Sequence, residues 1–174
     1  MSVLARRVTA ESIGTAFLVM AVVGSGVMAS RLSPDDVGLQ LLQNSLATGA
    51  ALVALIVARQ PVSASFNPVV TLVERALGVV DTRTAAGLIG AQVAGGVAGT
   101  MAANLMFGLD AVTISTHERT GPGLWLGEAI ATAGLLLTVF GTVRSGRPDR
   151  VNVWAGYLCT SDTAVPVSSS RRER

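Results

Sequence analysis

Four mostly apolar stretches, at residues 8–28, 39–58, 85–107 and 124–143, constrain this chain more than any other feature. About 20 such residues in a helix cross a hydrocarbon core about 30 Å thick. Inside that core no water satisfies backbone N–H and C=O groups, so a single-chain span of this length must be helical. The expected fold class is therefore an all-α membrane protein with four transmembrane helices. Composition agrees, because 50% of residues are hydrophobic and only 14% are charged, against about 25% charged in an ordinary soluble domain. The first stretch could be a secretion signal, but at 21 residues it exceeds the usual apolar core of about 7–15. A retained first helix is the better reading.

Arginine placement sets the orientation. All 13 basic residues are arginine, giving a net charge of +2, too small to argue for nucleic acid. With the N-terminus inside, Arg6, Arg7, Arg59, Arg75, Arg83, Arg144, Arg147, Arg150, Arg171, Arg172 and Arg174 face inward, and only Arg31 and Arg119 face outward. Basic residues in short loops stay cytoplasmic, so a multi-pass plasma-membrane protein with both termini cytoplasmic is expected. The lipid bilayer is its first partner. A single cysteine, Cys159, allows neither an internal disulfide nor a zinc site by itself. His117 sits beside Glu118 in an outer loop without a nucleophile or metal ligands at useful spacing. No enzyme activity, metal or cofactor is expected.

The segment 59–81 is apolar but too interrupted to span. Asn67 suits a helix N-cap, Pro68 the first helical position, and Gly78 the C-terminal stop. A helix from Pro68 to Gly78 covers about 16 Å, half a bilayer. The segment reads as a re-entrant loop that reaches the midplane near Asn67 and returns as a half-helix. Irregular backbone at that depth must line a cavity or be buried in protein. The carbonyls of residues 62–66 would then face water or solute, and the positive end of the half-helix would oppose cations. A cytoplasmic surface helix is the alternative. In the third span Ala91, Gly95, Gly99 and Ala103 recur every four residues, the pattern of a close helix–helix contact.

The first and fourth spans repeat each other at an offset of 117. Glu11 matches Glu128, Ile13 Ile130, Thr15 Thr132, Ala16 Ala133, Leu18 Leu135, Val22 Val139 and Gly24 Gly141, seven identities in 14 positions. Three spans precede the second copy, so it starts from the opposite side. Inverted repeats of this kind are typical of transport proteins with their site at the repeat interface. Carried forward by the same offset, a counterpart of Asn67 falls beyond Arg174, and no second Asn-Pro pair follows Val69. Residues 151–174 turn polar and arginine-rich and cannot cross a bilayer. The expected organisation is a membrane domain over 1–150, with its second inverted repeat incomplete, and an atypical polar cytoplasmic tail.

Asn67-Pro68-Val69, with Val62-Ser63-Ala64-Ser65-Phe66 before it and Val70-Thr71 after, resembles the first Asn-Pro-Ala box of the aquaporin and glycerol-facilitator family. Ala10, Glu11, Gly14 and Thr15 in span one, with Gly127, Glu128 and Thr132 in span four, are similar to the family's paired glutamate motifs, and Gln92 and Gly95 fit its third span. The resemblance covers roughly residues 5–147. It implies an aquaporin-like bundle with a passive pathway for water or small neutral solutes such as glycerol. By resemblance Asn67, Pro68, Val69, Ala64, Ser65 and Phe66 would line the pore. Asn67 would donate its amide to the solute, and Glu11 and Glu128 would be structural buried acids that accept from re-entrant backbone. The constriction would fall at Ala47 or Thr48, both small. Val69 replaces the usual alanine and Ser65 stands where histidine is common. A second box and its arginine have no counterpart.

Four functions compete on this reading. The chain is a channel-family member, cut or frame-shifted after about Arg150 and non-conducting alone; or a channel completed by association, a homo-oligomer being possible although the arginine bias opposes an antiparallel pair. It is alternatively a proton-coupled carrier using Glu11 and Glu128, or a membrane anchor whose basic tail binds anionic lipid.

Overall fold

The computed structural model describes residues 1–59, 61–113 and 120–144. Expectations for the 151–174 tail, Cys159 and His117 lie outside the described residues. Within them the chain forms five helices and no strand: α1 Val3–Leu32, α2 Val37–Arg59, α3 Pro68–Ala76, α4 Thr82–Met106 and α5 Pro122–Arg144. By length and composition α1, α2, α4 and α5 can each cross a membrane.

Side-chain caps begin these helices where the sequence supplies them. Ser2 accepts from the Ala5 N–H at 3.2 Å, and Asp36 from the Leu39 N–H at 2.9 Å. At the start of α4 the Asp81 carboxylate takes both the N–H and the hydroxyl of Thr84, at 2.9 and 2.7 Å. Those bonds hold its carboxyl below the usual range. The short α3 starts at Asn67 with Pro68 in its first turn and stops two residues before the expected Gly78. The reason is a Schellman turn. Gly78 adopts φ 73°, its N–H bonds the Arg75 carbonyl at 3.2 Å, and the Val79 N–H bonds the Glu74 carbonyl at 2.8 Å. Gly78 is thus the left-handed residue just past the helix rather than its last residue. Nine residues at 1.5 Å per residue make α3 about 14 Å long.

Helices α1 and α4 form the closest pair. A Cβ on Gly95 would collide with the Ser12 carbonyl oxygen and one on Gly99 with that of Ala16, while Gly24 sits under the Phe107 ring. Each contact joins an α4-side residue to the α1 residue 83 positions earlier, so the two helices run parallel in constant register. Ala91, Gly95, Gly99 and Ala103 are all buried along this seam. Lipid tails supply no net hydrophobic drive between helices, so close contact and interhelical hydrogen bonds must hold the pair. Helix α2 runs back antiparallel against α1, joined by the Ser25 hydroxyl donating to Asn44 Oδ1 at 2.6 Å. At the far ends, Arg31 donates to the Phe107 carbonyl at 2.7 Å and stacks 5.4 Å from its ring centre. Among the described residues none of the apolar window of helix α5 is buried.

Candidate functional site

The site is built where α3 meets the extended segment before it. Asn67 is extended, with φ −144° and ψ 122°, and its side-chain oxygen accepts the Val69 N–H at 2.8 Å. Capping the helix thereby commits the acceptor half of the carboxamide, and the NH2 group has no partner among the described residues. The positive end of α3 points the same way. Upstream, the N–H groups of Val62 and Ser63 both bond the Arg59 carbonyl, at 2.8 and 3.0 Å. The carbonyls of residues 62–66 accept no hydrogen bond among the described residues, leaving a row of acceptors that ends at the Asn67 donor.

This irregular backbone hangs on one carboxylate. Glu11, on α1, is fully buried. Its Oε1 accepts the Ser63 hydroxyl at 2.6 Å and the Ser65 N–H at 2.9 Å; its Oε2 accepts the Phe66 N–H at 2.8 Å and Gln92 Nε2 at 2.8 Å. Four donors converge on it, so the position suits a pure acceptor. Gln92, on α4, passes the anchoring on, because Nε2 also donates to the Thr71 hydroxyl at 3.0 Å. Thr71 in turn donates to the Asn67 carbonyl at 3.3 Å. Helices α1 and α4 therefore grip both arms of the turn at Asn67.

Phe66 departs from the lining role expected of it. Its φ is 46°, in the left-handed region, and its ring is only 5% exposed, packed with Leu52 and Ile56 of α2. That conformation costs on the order of 1 kcal/mol or more for a bulky residue. It persists because it turns the Phe66 N–H onto Glu11 while sending the ring into the core. The seat for the ring is Gly14, where any Cβ would overlap the ring edge. Replacing Gly14 with alanine should therefore destabilise the fold by about 1–3 kcal/mol through overpacking. Thermal melting in detergent checks this, and a Gly14→Ala/Phe66→Leu double variant should cost less than the sum of the singles.

The other expected residues separate by exposure. Ala64 is half-buried against the Leu52–Ile56–Phe66 cluster. Ser65, Asn67 and Pro68 are half-buried and Val69 is exposed. Of the two constriction candidates, Ala47 is exposed, whereas Thr48 is buried with the α2 face that carries Ser45, Gly49, Leu52 and Ile56. Glu128, expected to be a buried acid from its match to Glu11, is exposed, on α5, none of whose apolar window is buried among the described residues. Glu74 carried no expected role, and Gly14 only a place in the motif around Glu11. The signal for Gly14 was its place one turn after Glu11 on the same helix face.

A row of free carbonyls ending at a half-helix, hung from a buried acid inside a bundle of apolar helices, defines the aquaporin-like class of membrane fold. The chain belongs to the major intrinsic protein family, whose family model matches residues 1–159. It is 48% identical over 167 residues to the aquaglyceroporin AqpS of Rhizobium meliloti (strain 1021), an alignment spanning 92% of this chain and 71% of that protein. A multi-pass membrane protein of a channel family follows directly from this membership.

Proposed function

We propose that this chain forms one wall of a passive pathway for water or small neutral solutes such as glycerol, in the plasma membrane with both termini cytoplasmic. The observation that carries the reading is Asn67, whose oxygen is spent on the helix while its NH2 group is free beside a row of free carbonyls. A solute hydroxyl or water could accept from Asn67 and donate to the carbonyls, trading its hydration for fixed partners. The positive end of α3 and the uncapped amide disfavour a cation at the same point. The similarity to an aquaglyceroporin supports solutes of this class. We place the constriction at Ala47, Ala64, Ser65, Pro68 and Val69 lining the path beside it.

Among the described residues α5 and Glu128 are exposed, which supports the reading that the chain alone does not conduct. Glu11, already holding four donors, favours the passive reading over a proton-coupled carrier.

In a Cys159→Ser background, Asn67→Cys should react with a small, membrane-impermeant thiol reagent but resist a bulky one. Free labelling by the bulky reagent would place Asn67 on an open surface and end the re-entrant reading. In proteoliposomes the chain alone should shrink no faster than empty vesicles under an osmotic step. Flux abolished by Asn67→Asp would show instead that the single chain conducts. Flux driven by a pH gradient and lost in Glu11→Gln would replace the channel with the carrier.

A further inference from the structure

The backbone of Ser65 is held by Glu11, yet its side chain is bound elsewhere. The Ser65 hydroxyl donates to both carboxylate oxygens of Glu74, at 3.3 and 3.2 Å. Glu74 lies on α3, beyond the re-entrant turn, so this contact closes a ten-residue ring from the extended segment to the half-helix that follows it. One serine thus bridges two carboxylates, by its N–H to α1 and by its hydroxyl to α3.

Helix stability does not explain an acid at this point. Glu74 falls in the last turn of α3, where the partial charge of the carbonyl end disfavours a carboxylate. Glu11 adds repulsion, offset by the nearby Arg7 guanidinium of α1. A carboxylate kept against burial and the carbonyl end of its helix needs another reason, and the Ser65 hydroxyl supplies one. Glu11 grips the inner end of the carbonyl row through the N–H groups of Ser65 and Phe66 and the Ser63 hydroxyl. Among the described residues, Glu74 is the one α3 side chain that bonds residues 62–66.

We propose that Glu74 is a positioning residue of the pathway, acting through the Ser65 hydroxyl to hold the free carbonyls of Ala64 and Ser65 in line with Asn67. The proposal rests on the passive-pathway reading for its meaning in transport, but its geometry is testable without flux. The spacing between acceptors and the Asn67 donor then depends on one side-chain bond whose two ends lie on either arm of the turn. Arg7 acts as the counter-charge that lets two carboxylates share one serine.

Amide hydrogen exchange of the full chain in detergent, read by mass spectrometry on peptides covering 62–67, tests this. Glu74→Leu and Ser65→Ala should each lower protection there about tenfold, the factor expected for one lost hydrogen bond to a charged group. Protection in α1 and α4 should stay at the wild-type level. Glu74→Gln keeps an acceptor oxygen and should restore most of the protection at 62–67. Unchanged protection in Ser65→Ala would overturn the proposal, even if Glu74→Leu failed to fold; so would an equal loss in Glu74→Gln and Glu74→Leu. The Asn67→Cys labelling reports separately on the passive pathway, so either idea can fail while the other stands.

Discussion

Glu11→Ala should leave little folded protein at growth temperature, with a loss on the order of 3–5 kcal/mol, the cost of removing one member of a buried charged network. The magnitude follows from what the substitution strands. The Ser63 hydroxyl, the Ser65 and Phe66 N–H groups and one Gln92 N–H all lose their acceptor at once. Buried as they are, no solvent replaces it, and each orphaned polar group costs about 1–3 kcal/mol. The left-handed Phe66 then loses the bond that offsets its strain. Native stabilities are only about 5–15 kcal/mol, so the loss consumes a large part of the total. Glu11→Gln should fall between, since one oxygen still accepts while the new NH2 group faces donors. Thermal melting in detergent, with the monodisperse fraction recovered, measures both. A Glu11→Ala protein melting with the wild type would mean that the re-entrant turn does not hang on this carboxylate.

Gly99→Val should separate α1 from α4 and cost about 3 kcal/mol, the upper end of overpacking penalties. The clash is backbone against backbone, since the new Cβ would stand where the Ala16 carbonyl oxygen lies. A flexible side chain could rotate away; a helix carbonyl cannot. Gly95→Val should behave alike against Ser12. Gly90 provides the internal control, because nothing stands within 4 Å of its would-be Cβ. Gly90→Ala should melt no lower than the wild type. Equal melting temperatures for Gly99→Val and Gly90→Ala would refute the close parallel seam. Because Gln92 reaches Glu11 across that seam at 2.8 Å, the loss should spread to the re-entrant turn and expose residues 62–67 to hydrogen exchange.

Much of this architecture is local chemistry and could be read directly from the chain. Length and polarity of apolar stretches decide which segments can cross a membrane, whatever their neighbours do. Asn67-Pro68 determined where the half-helix starts, because capping and the missing proline N–H act within a few residues. The four-residue spacing of Ala91, Gly95, Gly99 and Ala103 marked a contact face, because helical periodicity is a property of one helix. The matching glutamates showed that α1 and α5 are related. What periodicity could not say was which carbonyls Gly95 and Gly99 approach, since that depends on the register between two helices. Nor could it place the Phe66 ring in the core. Its direction is set by a left-handed φ that exists only because Glu11, 55 residues away, accepts its N–H. Equal sequence context likewise left Glu11 and Glu128 alike, and tertiary contact parted them: one receives four donors, the other is exposed on a helix without a packed face. Residue identity determined what each group can bond. Only the meeting of distant segments decided whether it does, because burial and hydrogen-bond partners are properties of the assembled bundle.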